Sequence, residues 1–288
     1  MKLNKNQLNE LCQIALLAAK TAGLLIAEYH GRDIAIEHKQ GASSLASEVL
    51  TEVDTLSQEI ILNALLPTCE VYDLALLSEE LEDDRSRFKK DYFWCIDPLD
   101  GTLAFLSSTS GFAVSIALVS REGVPMIGVV YDPVEDVLYH AIKGEGVFRN
   151  KKAWKKTKQS ENFTLINDRS FKNSSKFDQC MEAFNESTEL KTILHGGAVM
   201  NAIWVLENSP ACYFKFPRKD DGGGSLWDYA ATTCIFEAIG GVVSDFYEMN
   251  LELNRVESTK INHLGVLFAS DRNVGIETLR ALESIQGE

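Results

Sequence analysis

The densest chemistry in this sequence lies in Asp97-Pro98-Leu99-Asp100-Gly101-Thr102, which follows the aromatic and apolar run Tyr92-Phe93-Trp94-Cys95-Ile96. Two carboxylates three positions apart, joined by a proline-stiffened turn, can converge on a hard cation, because such ions take oxygen ligands. Gly101 permits a tight turn, and Thr102 would then open a helix whose free N–H groups suit a phosphate. The same residues also fit an ordinary strand-turn-helix junction whose aspartates serve as caps. Further acids stand in Thr51-Glu52-Val53-Asp54, in Leu77-Ser78-Glu79-Glu80 and in Trp227-Asp228-Tyr229-Ala230-Ala231. Glu79 runs on into Glu82-Asp83-Asp84 and could be one member of a solvated acidic face; Asp228 could cap a helix. A site of Asp and Glu without His or Cys suits Mg²⁺ better than zinc. Two such ions roughly 4 Å apart can neutralise the oxygens of a phosphate ester, activate water near neutral pH and stabilise a leaving alkoxide.

Something must hold these acids together, and the periodicity of the chain says what. Leu8, Leu11, Ala15, Ala18, Ala19, Leu24 and Leu25 recur at helical spacing, which predicts an amphipathic helix from about Lys5 to His30. A second helix is expected from about Glu52 to Leu66, ended by Pro67. Tyr92 to Ile96, Phe112 to Val119, Pro125 to Tyr131 and Val137 to Ile142 read as strands, so Asp97 sits at a strand terminus. Strands are also expected at Phe163 to Ile166, Ala211 to Phe216, Val242 to Phe246 and Gly265 to Ala269. Helices are expected at Val199 to Glu207, at Leu226 to Ala238 before Gly240-Gly241, and from about Val274. Helices that alternate with sheet predict a layered α/β or α+β sandwich. The composition turns more polar beyond Lys151, which predicts lobes over 1–150 and 151–288 within one compact unit.

A length of 288 residues with 45% hydrophobic and 24% charged residues is ordinary globular usage. The net charge of −14 argues against a nucleic-acid partner, since that binding needs clustered Lys and Arg. Cys12, Cys69, Cys95, Cys180, Cys212 and Cys234 are scattered without metal-ligand spacing and read as reduced. No segment reads as a signal peptide or a membrane span, so a cytoplasmic protein without a membrane partner is expected.

The four motifs, in this order, resemble those of the inositol monophosphatase superfamily: T-x-x-D at Thr51 to Asp54, the acidic loop at Leu77 to Glu80, D-P-[IL]-D-G-T at Asp97 to Thr102, and W-D-x-A-A at Trp227 to Ala231 followed by Gly240-Gly241. The resemblance covers residues 51 to 241 and implies a sugar-phosphatase sandwich of alternating α-β-α-β-α layers. It implies two Mg²⁺ ions, one held by Glu79, Asp97 and the carbonyl of Leu99, the other by Asp97, Asp100 and Asp228, with a third, weaker ion at Glu79 and water. It further implies a water nucleophile oriented by Thr102 and Glu79 with support from Asp54, substrate contacts from Asp100, Gly101, Thr102, His195 and Asp228, inhibition by lithium, and a homodimer. The Leu-Ser-Glu-Glu acidic loop is similar to that of relatives acting on 3′(2′),5′-bisphosphate nucleotides. A small-molecule phosphomonoester of that kind is therefore the first expected substrate, followed by an inositol or related sugar monophosphate.

Other features fit less closely. Lys39 stands fifteen residues before Asp54, across Gly41-Ala42-Ser43-Ser44, which leaves its role unassigned. The stretch Arg218 to Ser225 offers cations and backbone N–H groups for a second phosphate, or is a surface loop; His195 is a ligand contact or a structural histidine. Leu99-Asp100-Gly101-Thr102 is also similar to the D-x-D-G-T loop of haloacid dehalogenase-type phosphatases, but Pro98 stands where that loop needs an acid. A non-catalytic, partner-binding member of the fold is the remaining alternative, and the intact set of acids argues against it.

Overall fold

A computed structural model describes residues 2–30, 36–38, 49–156, 162–185, 189–220 and 222–286. Lys39, the loop at Gly41-Ala42-Ser43-Ser44 and Asp221 lie outside the described residues. Five layers stack in the order α-β-α-β-α, as expected.

The first layer is α1 (Lys5–Tyr29) and α2 (Glu52–Tyr72), joined through a short antiparallel pair, β1 (Ile36–His38) and β2 (Val49–Thr51). These helices cover one face of a seven-stranded sheet. Its strands lie in sequence order: β3 (Ala75–Ser78), β4 (Tyr92–Asp100), β5 (Ala113–Ser120), β6 (Pro125–Asp132), β7 (Val137–Ile142), β8 (Gly146–Arg149) and β9 (Lys152–Ala153). Only the β3–β4 pair is parallel. The middle layer is α5 (Ala198–Glu207) and α6 (Leu226–Ile239). Beyond it lies a five-stranded sheet in the order β11 (Lys191–Ile193), β10 (Thr164–Ile166), β12 (Ala211–Lys215), β14 (Val266–Ala269), β13 (Val242–Ser244), backed by α4 (Phe177–Asn185) and α7 (Arg272–Gln286). A single-turn helix, α3 (Thr102–Leu106), follows β4.

The central strands are buried on both faces, so successive side chains enter different cores. Phe93 and Cys95 pack toward the middle layer with Ala230 and Phe236, while Trp94 and Ile96 pack toward α1 and α2. This explains why β4 to β7 read as continuous apolar runs rather than as alternating ones.

Two expectations need correction. The second helix does not stop at Pro67 but continues to Tyr72 with the proline inside it. Pro67 and Asn63 are exposed, so water can satisfy the carbonyl that loses its N–H partner. On the opposite face buried Leu65 and Thr68 anchor the last turns, and Thr68 Oγ1 accepts from Trp94 Nε1 at 2.9 Å. The second correction concerns α1, which is long and apolar enough to cross a membrane by length and composition. Its stripe Leu8, Leu11, Cys12, Ala15, Ala18, Ala19, Ala22 and Ile26 is buried against the seven-stranded sheet, while Leu24, expected on that stripe, is exposed.

Candidate active site

The site begins with a parity problem. Residues three apart on a regular strand face opposite sides. In the β4–β5 ladder Asp97 pairs with Ser115 but Asp100 pairs with Ala113, so three steps on β4 match two on β5. That one-residue bulge returns both carboxylates to the α6 side of the sheet. Gly101 then turns the chain at φ +84°, where a Cβ would lie 2.7 Å from Gly111 O.

Asp97 is 1% exposed; its Oδ1 accepts from Leu99 N at 3.1 Å, and its buried Oδ2 has no hydrogen-bond partner. The two oxygens of Asp100 accept from Ala198 N at 3.1 Å and Val199 N at 2.9 Å, the first free N–H groups of α5. Asp228, in the first turn of α6, accepts from Ser225 N at 2.6 Å through Oδ2. One carboxylate oxygen from each of Asp97, Asp100 and Asp228 lies within 4.8 Å of the others. Burial, then the charges of Glu79, Asp100 and Asp228, holds the Asp97 carboxyl well above the usual carboxylate range. Burial and the charge of Asp228 push Asp100 up to about 8, against the opposing pull of Val199 N–H and Lys215. Three carboxylates forced together this way are an unfinished electrostatic arrangement.

The trio fits a divalent cation. All its donors are carboxylate oxygens, the buried Asp97 Oδ2 lacks a partner, and among the described residues none of the three is ion-paired with Lys or Arg. Glu79 is not part of the trio. It follows β3, its backbone N donates to Ile96 O at 3.1 Å, and its charge bears on Asp97 more than that of Asp100 or Asp228 does.

The other expected residues take definite places. Asp54 is 4% exposed in the first turn of α2, one turn before Ser57, whose Oγ donates to Pro98 O at 2.7 Å and so ties α2 to the acidic turn. Ser78 Oγ donates to Gln58 Oε1 at 2.5 Å, which ties β3 to the same helix. Thr102 Oγ1 donates to Leu99 O at 3.3 Å. The helix that Thr102 opens is a single turn that ends at Leu106. His195 precedes Gly196-Gly197, which packs directly on the turn: a Cβ on Gly197 would meet Asp100 Oδ2 at 2.3 Å and Gly101 Cα at 2.6 Å. Burial, then the charges of Arg169 and Lys172, holds the imidazole below its ordinary range, so it is neutral near pH 7. In the Arg218 to Ser225 stretch the guanidinium is already held by Asp220 through two contacts of 2.8 Å.

Sequence reasoning missed Lys215, Asp168 and Asn201. Lys215 Nζ lies 3.0 Å from Asp168 Oδ2, and Asn201 Nδ2 donates to Asp168 Oδ1 at 2.9 Å. No motif marks them, because they meet only when β10, β12 and α5 pack together.

Comparison with known proteins agrees with this geometry. The sequence profile of the inositol monophosphatase family matches residues 7–283. The chain is 29% identical over 245 residues to the Nus factor SuhB of Haemophilus influenzae, covering 83% of this chain and 86% of that one. It is 27% identical over 235 residues to the inositol-1-monophosphatase of Bacillus subtilis, covering 81% and 84%. In structure it superposes on an IMPase of Thermotoga maritima with a TM-score of 0.76, at 21% identity and 95% and 96% coverage, a likeness of fold. A relative named as a Nus factor gives no support to the expected absence of a nucleic-acid partner.

Proposed function

This chain belongs to the inositol monophosphatase family, and from that premise we propose that it is a Mg²⁺-dependent phosphomonoesterase acting on a small phosphorylated polyol or sugar. The observation that carries the reading is the buried trio of Asp97, Asp100 and Asp228, with one oxygen of Asp97 left without a partner. Asp97, Asp100 and Asp228, with Glu79 and the carbonyl of Leu99 beside them, would hold Mg²⁺. The bound ions supply charge neutralisation on the phosphate and a water acidic enough to attack it.

The chain's own residues supply the rest. Leu99 N, Ala198 N, Val199 N and Ser225 N fix carboxylate oxygens, so the ligand set needs little reorganisation on binding. Thr102, whose hydroxyl donates to Leu99 O, and Glu79, whose backbone N donates to Ile96 O, would orient an attacking water. Asp54 acts one shell further out, on the helix that Ser57 ties to Pro98. The rigid close packing of Gly197 on Asp100 excludes solvent from the rear of the site.

Among substrates, inositol 1-phosphate comes first, because a relative alignable over most of the chain is named for it. A 3′(2′),5′-bisphosphate nucleotide is the second reading, favoured by the cation Lys215 beside the trio. A member of the fold without turnover is the competing class, suggested by the Nus factor relatives. One experiment separates them: phosphate release by the purified protein with Mg²⁺, and with chelator, from inositol 1-phosphate, adenosine 3′,5′-bisphosphate and fructose 1,6-bisphosphate. Mg²⁺-dependent release that disappears in Asp97→Asn is expected; no release from any of the three would defeat the enzymatic reading. Inhibition of that release by millimolar lithium is expected as well.

A further inference from the structure

Asp228 takes its direction from the residues just before α6 and from an extended segment laid against them. Ile261 N donates to Gly224 O at 3.0 Å and Leu226 N to Thr259 O at 2.9 Å, with Ser225 and Lys260 paired between them in an antiparallel bridge. Gly224 packs so closely on the carboxylate that a Cβ there would lie 2.8 Å from Asp228 Oδ2. Ser225 caps α6 reciprocally: its N–H donates to that same Oδ2 at 2.6 Å, and its hydroxyl accepts from Asp228 N. Lys260, half-buried, completes the arrangement, since its Nζ donates to Ser225 Oγ at 3.1 Å and lies 5.9 Å from the centre of the Trp227 ring.

The same segment is fastened at its start to the acidic loop. Arg85 Nη2 donates to Val256 O at 2.9 Å, and buried Arg87, paired with Asp83, donates to Arg255 O at 3.0 Å. Residues 254–261 therefore strap the loop that begins at Glu79 to the helix that carries Asp228. A lysine beside a helix N-terminus stands against the macrodipole, and among the described residues Lys260 has no carboxylate within ion-pair distance. Its commitment is to Ser225 Oγ. A hydroxyl oxygen has two lone pairs, and with Asp228 N on one and the ammonium on the other Ser225 cannot rotate away from its cap. We propose that Lys260 is a positioning residue for the metal site: it locks Ser225 and the strap onto α6, and so fixes the Asp228 carboxylate relative to the Glu79 loop. The inference rests on the Mg²⁺ site of the phosphomonoesterase reading and adds to it a residue that touches neither ion nor substrate.

The test is Mg²⁺ titration of the full chain by calorimetry. Lys260→Met should weaken Mg²⁺ binding about 10-fold, as losing a group that orients a ligand does, and Lys260→Arg, which keeps a charged donor, should restore most of it. Charge repulsion alone predicts the opposite sign, tighter Mg²⁺ binding once the ammonium is gone. A merely structural lysine would lower the metal-free Tm and leave the affinity of the folded protein unchanged. Tighter or unchanged binding in folded Lys260→Met therefore overturns the proposal, and Lys260→Ala serves in its place should the methionine variant fail to fold. Phosphate release by the same preparations keeps the two readings apart. Release by the wild type with unaltered Mg²⁺ affinity in the variants removes the positioning role alone. Weakened Mg²⁺ binding in the variants without release by the wild type removes the phosphatase reading and keeps the role. A wild type that binds no Mg²⁺ removes both.

Discussion

Replacing Asp97 by Asn tests the central electrostatic claim, because the side chain keeps its shape and loses its charge. Asp97 is 1% exposed and shares the trio with Asp100 and Asp228 at up to 4.8 Å. At that separation and an effective dielectric near 20, two like charges cost about 3 kcal/mol. The metal-free wild type meets this cost by repulsion or by taking up protons; the asparagine removes it. Metal-free Asp97→Asn should therefore be more stable than metal-free wild type by about 3 kcal/mol, or roughly 6 °C in Tm at about 2 °C per kcal/mol for a chain of this size. Mg²⁺ closes the gap. At a free concentration one hundred times Kd it stabilises the wild type by about 2.7 kcal/mol, roughly 5 °C, and it should do little for the variant. Scanning calorimetry of both proteins, with chelator and with a Mg²⁺ series, reads all four states without reference to turnover. A variant less stable than wild type without metal, or one that gains as much from Mg²⁺ as wild type does, would refute the claim that these carboxylates are held together for a cation.

The other predictions follow from neighbouring features. Asp100 is raised to about 8 in the folded protein against an ordinary 3.8. The folded state thus retains a proton that the unfolded chain has released, and metal-free stability should fall as pH rises between about 4 and 8, as urea melts in chelator at several pH values will show. Over the same window Mg²⁺ affinity should rise, since the ion displaces that proton; flat affinity by calorimetry would count against it. Gly197→Ala places a Cβ 2.3 Å from Asp100 Oδ2 and should cost at least 2 kcal/mol of stability by urea melts, with loss of turnover. Arg87 is 1% exposed, 2.9 Å from Asp83 and 3.0 Å from Arg255 O, which pins the loop after Glu79 to the segment before α6's contacts at Thr259. Arg87→Met should cost about 3 kcal/mol by the same melts.

Much of this arrangement could be read from the sequence because its signals are local. The bulge residues, the glycine at φ +84° and the first-turn position of Asp228 depend on neighbours a few positions away, and they gave both the acids and their order. Strands β5, β6 and β7 of the large sheet were legible from their apolar runs to within a residue, while β4 runs four residues past Ile96, so that Asp97, expected at its terminus, lies within it. The end of α2 was not legible, because a rule for proline in isolation ignores the packing of Leu65 and Thr68 that carries the helix through it. Short β3, β8, β9 and β11 and the helix α4 were also missed, since segments of two to nine residues carry too few repeats for a period to show. The same limit explains Lys215 on β12, Asp168 just after β10 and Asn201 on α5, which share no spacing.

The sequence left two readings of the acidic residues, helix caps or metal ligands, and the geometry makes them one. Asp228 accepts the N–H of Ser225 at the start of α6, and Asp100 accepts the first N–H groups of α5, so each serves a helix N-terminus as a cap does. Those same bonds fix the direction of the carboxylates and stabilise negative charge on them. Two helix ends from the C-terminal half of the chain are thereby aimed at one bulged strand from the N-terminal half. Each backbone donor offsets part of the repulsion that gathering the acids creates, yet none reaches Asp97 Oδ2. Backbone dipoles can hold the cluster together but carry no net charge, so the last oxygen is left for something that does: in the reading argued above, a divalent cation.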